Sequence, residues 1–172
     1  MYLYIKLDGK SWGIIGLGDI GKQVANVAQS FGCNVSFYST SGKNSCDLYE
    51  QKSLENLLKE SDIISIHAPL NEQTNNLLNK DNLALIKENA ILLNLGRGGI
   101  VNEEDISKEI DSRTIYFGTD VVSKEPIAKD SPLLKIKNKE QLLLTPHIAW
   151  ASKEARVRLV EGIVKNIEGF LK

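Results

Sequence analysis

The chain has 172 residues, of which 42% are hydrophobic and 25% charged, as is typical of one soluble globular domain or of a domain with a short appendage. Its 21 basic and 22 acidic residues give a formal net charge of −1, which argues against nucleic acid as a partner because phosphate binding needs a basic surplus. No run of about 18 apolar residues occurs, so no membrane partner is expected. Cys33 and Cys46 have neither disulfide-framework nor metal-site spacing, and we expect a reduced, cytoplasmic protein.

Short apolar runs alternate with segments of helical periodicity along the chain. Strands are predicted at Trp12–Gly16, Val35–Tyr38, Ile63–Ile66, Ile91–Leu95, Ile115–Phe117 and Leu142–Leu144. Helices are predicted from Ile20 to Phe31, around Leu83 and Ile86, and after the capping residues Ser53, Asn102 and Ser152. This alternation predicts an α/β fold with a parallel sheet covered on both faces. Ligands bind at the carboxyl ends of such strands, so functional residues are expected directly after each strand.

A glycine-rich turn follows the first predicted strand. Gly16-Leu17-Gly18-Asp19-Ile20-Gly21 has the pattern G-x-G-x-x-G and opens an amphipathic helix, which is the context of a dinucleotide phosphate loop. Gly16 permits the tight turn, Gly18 lets the backbone approach a pyrophosphate, and Gly21 lets the helix pack on the strand. The amides near Asp19 and Ile20 can donate to phosphate. An ordinary glycine turn is the alternative, but the context favours a Rossmann-type doubly wound parallel sheet with a C-terminal helix.

The second predicted strand is followed by Ser39-Thr40-Ser41-Gly42-Lys43. Dinucleotide-binding domains usually have an acid here, which binds the ribose hydroxyls of the adenosine. Ser39 takes the place of that acid, so a 2′-phosphate would not be repelled, and Ser39, Thr40 and Lys43 can hold one by hydrogen bonds and charge. Ser39 can equally bind the ribose of NAD. The sequence therefore predicts NAD or NADP as cofactor.

Polar residues also follow the later strands: His67, Arg97, Asp120 with Glu125, and His147. Hydride transfer to a ketone leaves an oxyanion that needs a proton, which a histidine can give near neutral pH. A carboxylate can orient that ring, and an arginine can bind a substrate carboxylate through two hydrogen bonds. Arg97, Glu125 and His147 can fill these three roles, whereas His67 either lines the pocket or only ends its strand. No metal site is predicted, since no Cys or His pair has ligand spacing.

Five blocks, in order, resemble the cofactor domain of D-isomer-specific 2-hydroxyacid dehydrogenases. They are Gly9–Gly21, Ser61–Leu70 with Thr74, Asn94–Val101, Gly118–Val121 with Glu125-Pro126, and Thr145–Trp150. The resemblance implies that Arg97, Glu125 and His147 are catalytic, with Arg97 binding the substrate. It implies further cofactor contacts at Asp19, Ile20, His67, Ala68, Pro69, Thr74, Leu95, Gly96, Arg97, Asp120 (beside the nicotinamide carboxamide), His147 and Trp150. The last block is similar to that of the glycerate dehydrogenase and hydroxypyruvate reductase branch.

The resemblance covers the chain from Asp8 onward. It implies that residues 1–8 are the remnant of a preceding segment, 9–151 a dinucleotide-binding domain, and 152–172 a helix that returns toward a substrate domain. Because members of the family begin with a substrate domain, we expect a fragment that binds dinucleotide but turns over its D-2-hydroxyacid or 2-ketoacid poorly or not at all. A homodimer through the cofactor domain is also implied. Two alternatives stay open: a dinucleotide-sensing, corepressor-like binding protein, and a lysine-using β-hydroxyacid dehydrogenase, against which the Arg–Glu–His order argues.

Overall fold

A computed structural model describes residues 6–43 and 45–171, so most of the segment predicted as a remnant, 1–5, lies outside the described residues. Within these two ranges, seven strands form one sheet in the order β3-β2-β1-β4-β5-β6-β7, and every neighbouring pair is parallel. The strands are β1 Ser11–Ile15, β2 Asn34–Tyr38, β3 Glu50–Gln51, β4 Ile63–Ile66, β5 Ile91–Asn94, β6 Tyr116–Thr119 and β7 Leu142–Leu144. This sheet confirms the predicted α/β, doubly wound fold, and its order reverses between β1 and β4.

Four α-helices among the described residues connect and follow the strands: α1 Asp19–Ser30, α2 Leu54–Glu60, α3 Glu103–Ser112 and α4 Lys153–Phe170. The three predicted caps are confirmed, because the side chains of Ser53, Asn102 and Ser152 each accept a backbone N–H from the first turn. The helix predicted near Leu83 is instead a 3-10 turn over Leu83–Leu85. Within the described parts of the chain, no helix is both long and apolar enough to cross a membrane.

Two hydrophobic clusters lie on opposite faces of the sheet. The larger packs α2 and α3 against β4, β5 and β6 through residues such as Leu57, Ile64, Leu92, Ile106 and Phe117. The smaller packs α1 against β1 and β2 and includes Ile14, Ala25 and Phe37. Alternate residues of a strand point to opposite faces, so Ile14 and Ile15 belong to different clusters. Buried runs of this kind fix the sheet and place the strand ends at one edge.

The prediction of a sheet covered on both faces is correct only in part. Tyr116 on β6 and Leu143 on β7 are 40% and 67% exposed, because nothing among the described residues covers this part of the second face. Helix α4 contains no buried residue. Its apolar side, which includes Val160, Ile163 and Ile167, is exposed along the described helix.

Strand β3 is not predicted by the apolar pattern. Its two residues, Glu50 and Gln51, are polar, and they pair with Ser36 and Phe37 of β2. The other strands lie where the pattern places them, with shifts of one or two residues at their ends.

Candidate active site

The phosphate loop has the geometry that its glycines predict. The φ angle of Gly16 is +91°, and a Cβ built on Gly16 would lie 2.9 Å from the amide nitrogen of Ala68. A Cβ on Gly21 would lie 2.2 Å from the carbonyl oxygen of Gly16. Gly18 has no atom within 4 Å of its Cβ position, so its backbone faces open space at the start of α1. These three environments suit a turn, a helix–strand contact and an approaching pyrophosphate.

The segment after β2 holds a buried hydroxyl group. Ser39 is 6% exposed, and its Oγ has no hydrogen-bond partner among the described residues. Thr40 is partly buried and Lys43 is exposed. A buried hydroxyl without a partner is unusual in a folded protein, and an oxygen of a ribose or a phosphate would satisfy it. These residues thus fit either form of the predicted cofactor.

The segment after β4 lies between two other loops. The backbone of Ala68 contacts Gly16 on one side and Gly96 on the other, where a Cβ on Gly96 would lie 2.8 Å from the Ala68 carbonyl oxygen. Thr74 is fully buried, and its hydroxyl donates to the carbonyl of Pro69 at 2.6 Å. Thr74 therefore shapes the Pro69 loop from below the surface, and its predicted contact with the cofactor stays a prediction.

The loop after β5 presents Arg97 to solvent. Its Nη1 donates to the carbonyl of Gly96 at 2.8 Å. The buried Asn94 fixes this loop, since its Nδ2 donates to the Arg97 carbonyl at 3.0 Å and its Oδ1 accepts the Gly96 amide at 3.2 Å. Sequence reasoning missed Asn94, although a polar residue at the end of an apolar strand is a usable signal. A cavity of about 500 Å³ is lined by Ile20, His67, Ala68, Pro69, Leu70, Leu95, Gly96 and Arg97.

Glu125 and His147 form a direct pair. The Nδ1 of His147 lies 2.7 Å from Oε2 of Glu125, and the backbone N–H of Val122 donates to Oε1 at 3.3 Å. The hydrogen bond from His147 is the main cause that lowers the pKa of Glu125 below its ordinary value. An ionised Glu125 accepts a proton-bearing Nδ1, which leaves Nε2 of the ring available to a ligand. Both side chains line a cavity of about 660 Å³.

Asp120 holds the segment that carries His147. Its carboxylate accepts the hydroxyl of Thr145 at 2.5 Å and the amides of Ile148 and Ala149 at 2.9 and 2.8 Å. Burial alone raises the pKa of Asp120, but these bonds and the nearby His147 bring it below the ordinary value. His147 has a φ of +54°, a left-handed conformation that is uncommon for residues other than glycine and often found at functional sites. The predicted contact of Asp120 with a nicotinamide stays a prediction, as does that of the exposed Trp150.

The loops that carry Arg97 and Glu125 meet through their backbones. A Cβ on Gly98 would lie 2.0 Å from the carbonyl oxygen of Val122, so the Arg97 loop lies directly against the Glu125 loop. Glu125 and His147 share one cavity, while Arg97 lines the other. Among the residues that the structure describes, no group of three His, Cys, Asp or Glu side chains could hold a metal ion.

A phosphate loop at the first strand, together with a carboxylate–histidine pair at the same sheet edge, defines a dinucleotide-binding domain of the doubly wound class. Residues 1–149 match the family model described as "D-isomer specific 2-hydroxyacid dehydrogenase, NAD binding domain". The chain belongs to this family, as its sequence blocks predict.

Individual relatives agree with the family match. A hydroxypyruvate reductase of Blautia hydrogenotrophica is 42% identical over 182 aligned positions, which include 99% of this chain and 53% of the relative. An acyclic imino acid reductase in complex with NADPH and D-Arg superposes with a TM-score of 0.89 at 33% identity, over 98% of this chain and 53% of that one. A D-lactate dehydrogenase of Aquifex aeolicus complexed with NAD and lactic acid has a TM-score of 0.89 at 28% identity, over 98% and 55% of the two chains. The chain thus spans about half the length of the curated relatives it matches.

Proposed function

We propose that the protein containing this chain transfers a hydride between NAD(P) and a D-2-hydroxyacid or 2-ketoacid. The contact of 2.7 Å between His147 Nδ1 and Glu125 Oε2 is the observation that carries this proposal. It provides a histidine whose outer ring nitrogen is free to exchange a proton, held by a carboxylate at the carboxyl edge of a dinucleotide-binding sheet. Hydroxypyruvate is the first substrate to test, because a 42% identical relative is a hydroxypyruvate reductase.

The residues of the chain would divide the reaction between them. A bound nicotinamide supplies or accepts the hydride. During reduction, Nε2 of His147 gives a proton to the carbonyl oxygen of the ketoacid, and during oxidation it takes the hydroxyl proton back. Glu125 keeps the ring oriented and balances its positive charge. Arg97 is exposed and accepts a substrate carboxylate on its guanidinium fork.

These roles are tested by activity measurements on a protein that also contains the half of its relatives' length that the match does not cover. We predict that His147→Asn lowers kcat by about 10²- to 10⁴-fold, as expected for loss of a general acid–base group, and changes the dissociation constant of NADH or NADPH far less than it changes kcat. Asparagine suits this position because it tolerates a left-handed backbone. Arg97→Gln should mainly weaken 2-ketoacid binding. Lys108→Gln, which removes a positive charge from the exposed side of α3, is the control. A His147→Asn protein with an undiminished kcat would rule out the proposed chemistry.

The 172-residue chain alone should bind the dinucleotide and turn over 2-ketoacids slowly or not at all. The groups that touch the cofactor and carry the proton lie within this half, whereas half the length of the relatives lies outside the match.

We further propose a homodimer, which would cover exposed apolar residues such as Tyr116 and Leu143. Sedimentation velocity with and without NADH measures this state, and a chain that stays monomeric at high concentration would count against the dimer.

A further inference from the structure

Three side chains form a hydrogen-bonded line that ends at the cofactor cleft. The indole N–H of Trp12 on β1 donates to Ser65 Oγ on β4 at 2.9 Å. Ser65 Oγ in turn lies 3.0 Å from Nε2 of His67, the residue that follows β4. His67 lines the same cavity as Ile20 and Arg97. The line therefore connects the interior of the sheet with the surface that a dinucleotide would touch.

The donors and acceptors of the three side chains determine where the protons lie along this line. An indole N–H can only donate, so Ser65 Oγ accepts from Trp12 and still has its own proton to give. Ser65 is 1% exposed, and within the described residues His67 Nε2 is the acceptor in its reach. If Nε2 carried a proton, the buried Ser65 hydroxyl would have no acceptor, which is unfavourable. Ser65 therefore donates to Nε2, and the neutral ring carries its proton on Nδ1.

The His67 ring is neutral at physiological pH because burial lowers its pKa to about 4. Nδ1–H has no hydrogen-bond partner among the residues that the structure describes. A neutral histidine with one fixed acceptor nitrogen offers one directed donor to a ligand.

The position of this donor indicates which part of a ligand it meets. The segment at Ala68 lies between Gly16 of the phosphate loop and Gly96 of the arginine loop. In the sheet, β4 lies between β1 and β5. A dinucleotide with its pyrophosphate at the phosphate loop and its nicotinamide toward His147 must therefore cross the end of β4.

We propose that Trp12 and Ser65 are positioning residues that fix His67 as its Nδ1–H tautomer, and that this N–H donates to a phosphate or ribose oxygen in the nicotinamide half of the dinucleotide. The second part rests on the proposed function, whereas the first concerns the free chain. The phosphate and ribose oxygens of the nicotinamide half are hydrogen-bond acceptors, and they are the same in NAD and NADP. This contact would therefore serve either cofactor.

The tautomer is measured on the free 172-residue chain by long-range ¹H–¹⁵N NMR of its two histidines. The spectrum of His147→Asn identifies the His67 signals. We expect Nδ1–H for His67 at pH 7, and a shift toward Nε2–H in Ser65→Ala and Trp12→Phe. Ser61→Ala is the matched control, because Ser61 is equally buried and its hydroxyl has no partner among the described residues. An Nε2–H tautomer in the unmodified chain, or an unchanged tautomer in Ser65→Ala, would overturn the positioning role.

Calorimetry with ADP-ribose and ADP tests the donor. His67→Phe and Ser65→Ala should weaken ADP-ribose binding about three- to tenfold, the size of one neutral hydrogen bond, while His67→Asn, which keeps a donor near the Nδ1 position, should restore much of it. An equal loss for ADP assigns the acceptor to phosphate, and a loss confined to ADP-ribose assigns it to the ribose. Unchanged affinity in both His67→Phe and Ser65→Ala would refute the contact. If the folded, unmodified chain binds neither ADP-ribose nor NADH nor NADPH, the proposed function fails, while the NMR result still decides the positioning role.

Discussion

At the scale of single residues, the site depends on how two carboxylates are used. Glu125 contacts His147 directly, whereas Asp120 holds the backbone and side chain of the segment that presents His147. Both carboxyl groups have a lowered pKa, so both are ionised at neutral pH. One carboxylate therefore orients the ring, and the other holds the unusual backbone conformation at His147.

The hydrogen bond between Glu125 and His147 predicts a measurable change in the titration of Glu125 when His147 is replaced. Since the hydrogen bond from His147 is the main cause that lowers the pKa of Glu125, the shorter side chain in His147→Asn should let this pKa rise toward its ordinary value. Carbon-13 NMR of the Glu125 carboxyl group as a function of pH measures the change. An identical midpoint in the two proteins would show that the pair does not form in solution.

We propose that Ser39, in place of the usual acid, allows a 2′-phosphate to bind. We predict that Ser39→Asp weakens NADPH binding at least about tenfold relative to NADH, because the new carboxylate repels the phosphate and favours ribose hydroxyls. Calorimetric titration of both cofactors measures the ratio, and Asn34→Asp, which adds the same charge at the exposed start of β2, is the control. A ratio that does not change would show that the phosphate does not reach Ser39.

At the scale of elements, the site depends on close contact between the loops after β5 and β6. We predict that Gly98→Ala lowers the unfolding free energy by about 1–3 kcal/mol, as expected when a well-packed contact is overfilled, because the new Cβ would lie 2.0 Å from the Val122 carbonyl. Gly162→Ala in α4, where nothing lies within 4 Å of the Cβ position, should be neutral or stabilising. Urea unfolding of both variants measures this, and equal stabilities would contradict the loop contact.

Much of this arrangement is predictable from sequence, because apolar runs, capping residues and glycine spacing report on local structure. The strands other than β3, the caps and the edge that carries Arg97, Glu125 and His147 follow from such patterns. Features that depend on register between strands do not. The register of β1 and β4 places Ile14 opposite Ser65, and Trp12, two residues before Ile14, lies on the same face and can reach Ser65. The buried position of Thr74 depends in the same way on how its loop folds back on Pro69.

At the scale of the whole molecule, the buried His67 makes the stability of the folded chain depend on pH. The folded chain has a His67 pKa of about 4, against 6.5 for an unburied histidine, so between these values the unfolded chain binds a proton that the folded chain does not. Stability should therefore fall as the pH drops through this window, by about 2 kcal/mol from pH 7 to pH 5. Urea unfolding at both pH values measures the loss, which should be smaller in His67→Asn. The same pH dependence in both proteins would contradict a buried, neutral His67.

The parts of the site extend along most of the sheet edge, from Ser39 after β2 to His147 after β7, so one elongated ligand could contact them all. The most direct measurement of this account is a calorimetric titration of the 172-residue chain with NADH and with NADPH. We expect saturable binding of at least one cofactor with one site per chain, and binding to the same single site in His147→Asn. A chain that is folded by circular dichroism and binds neither cofactor would contradict it.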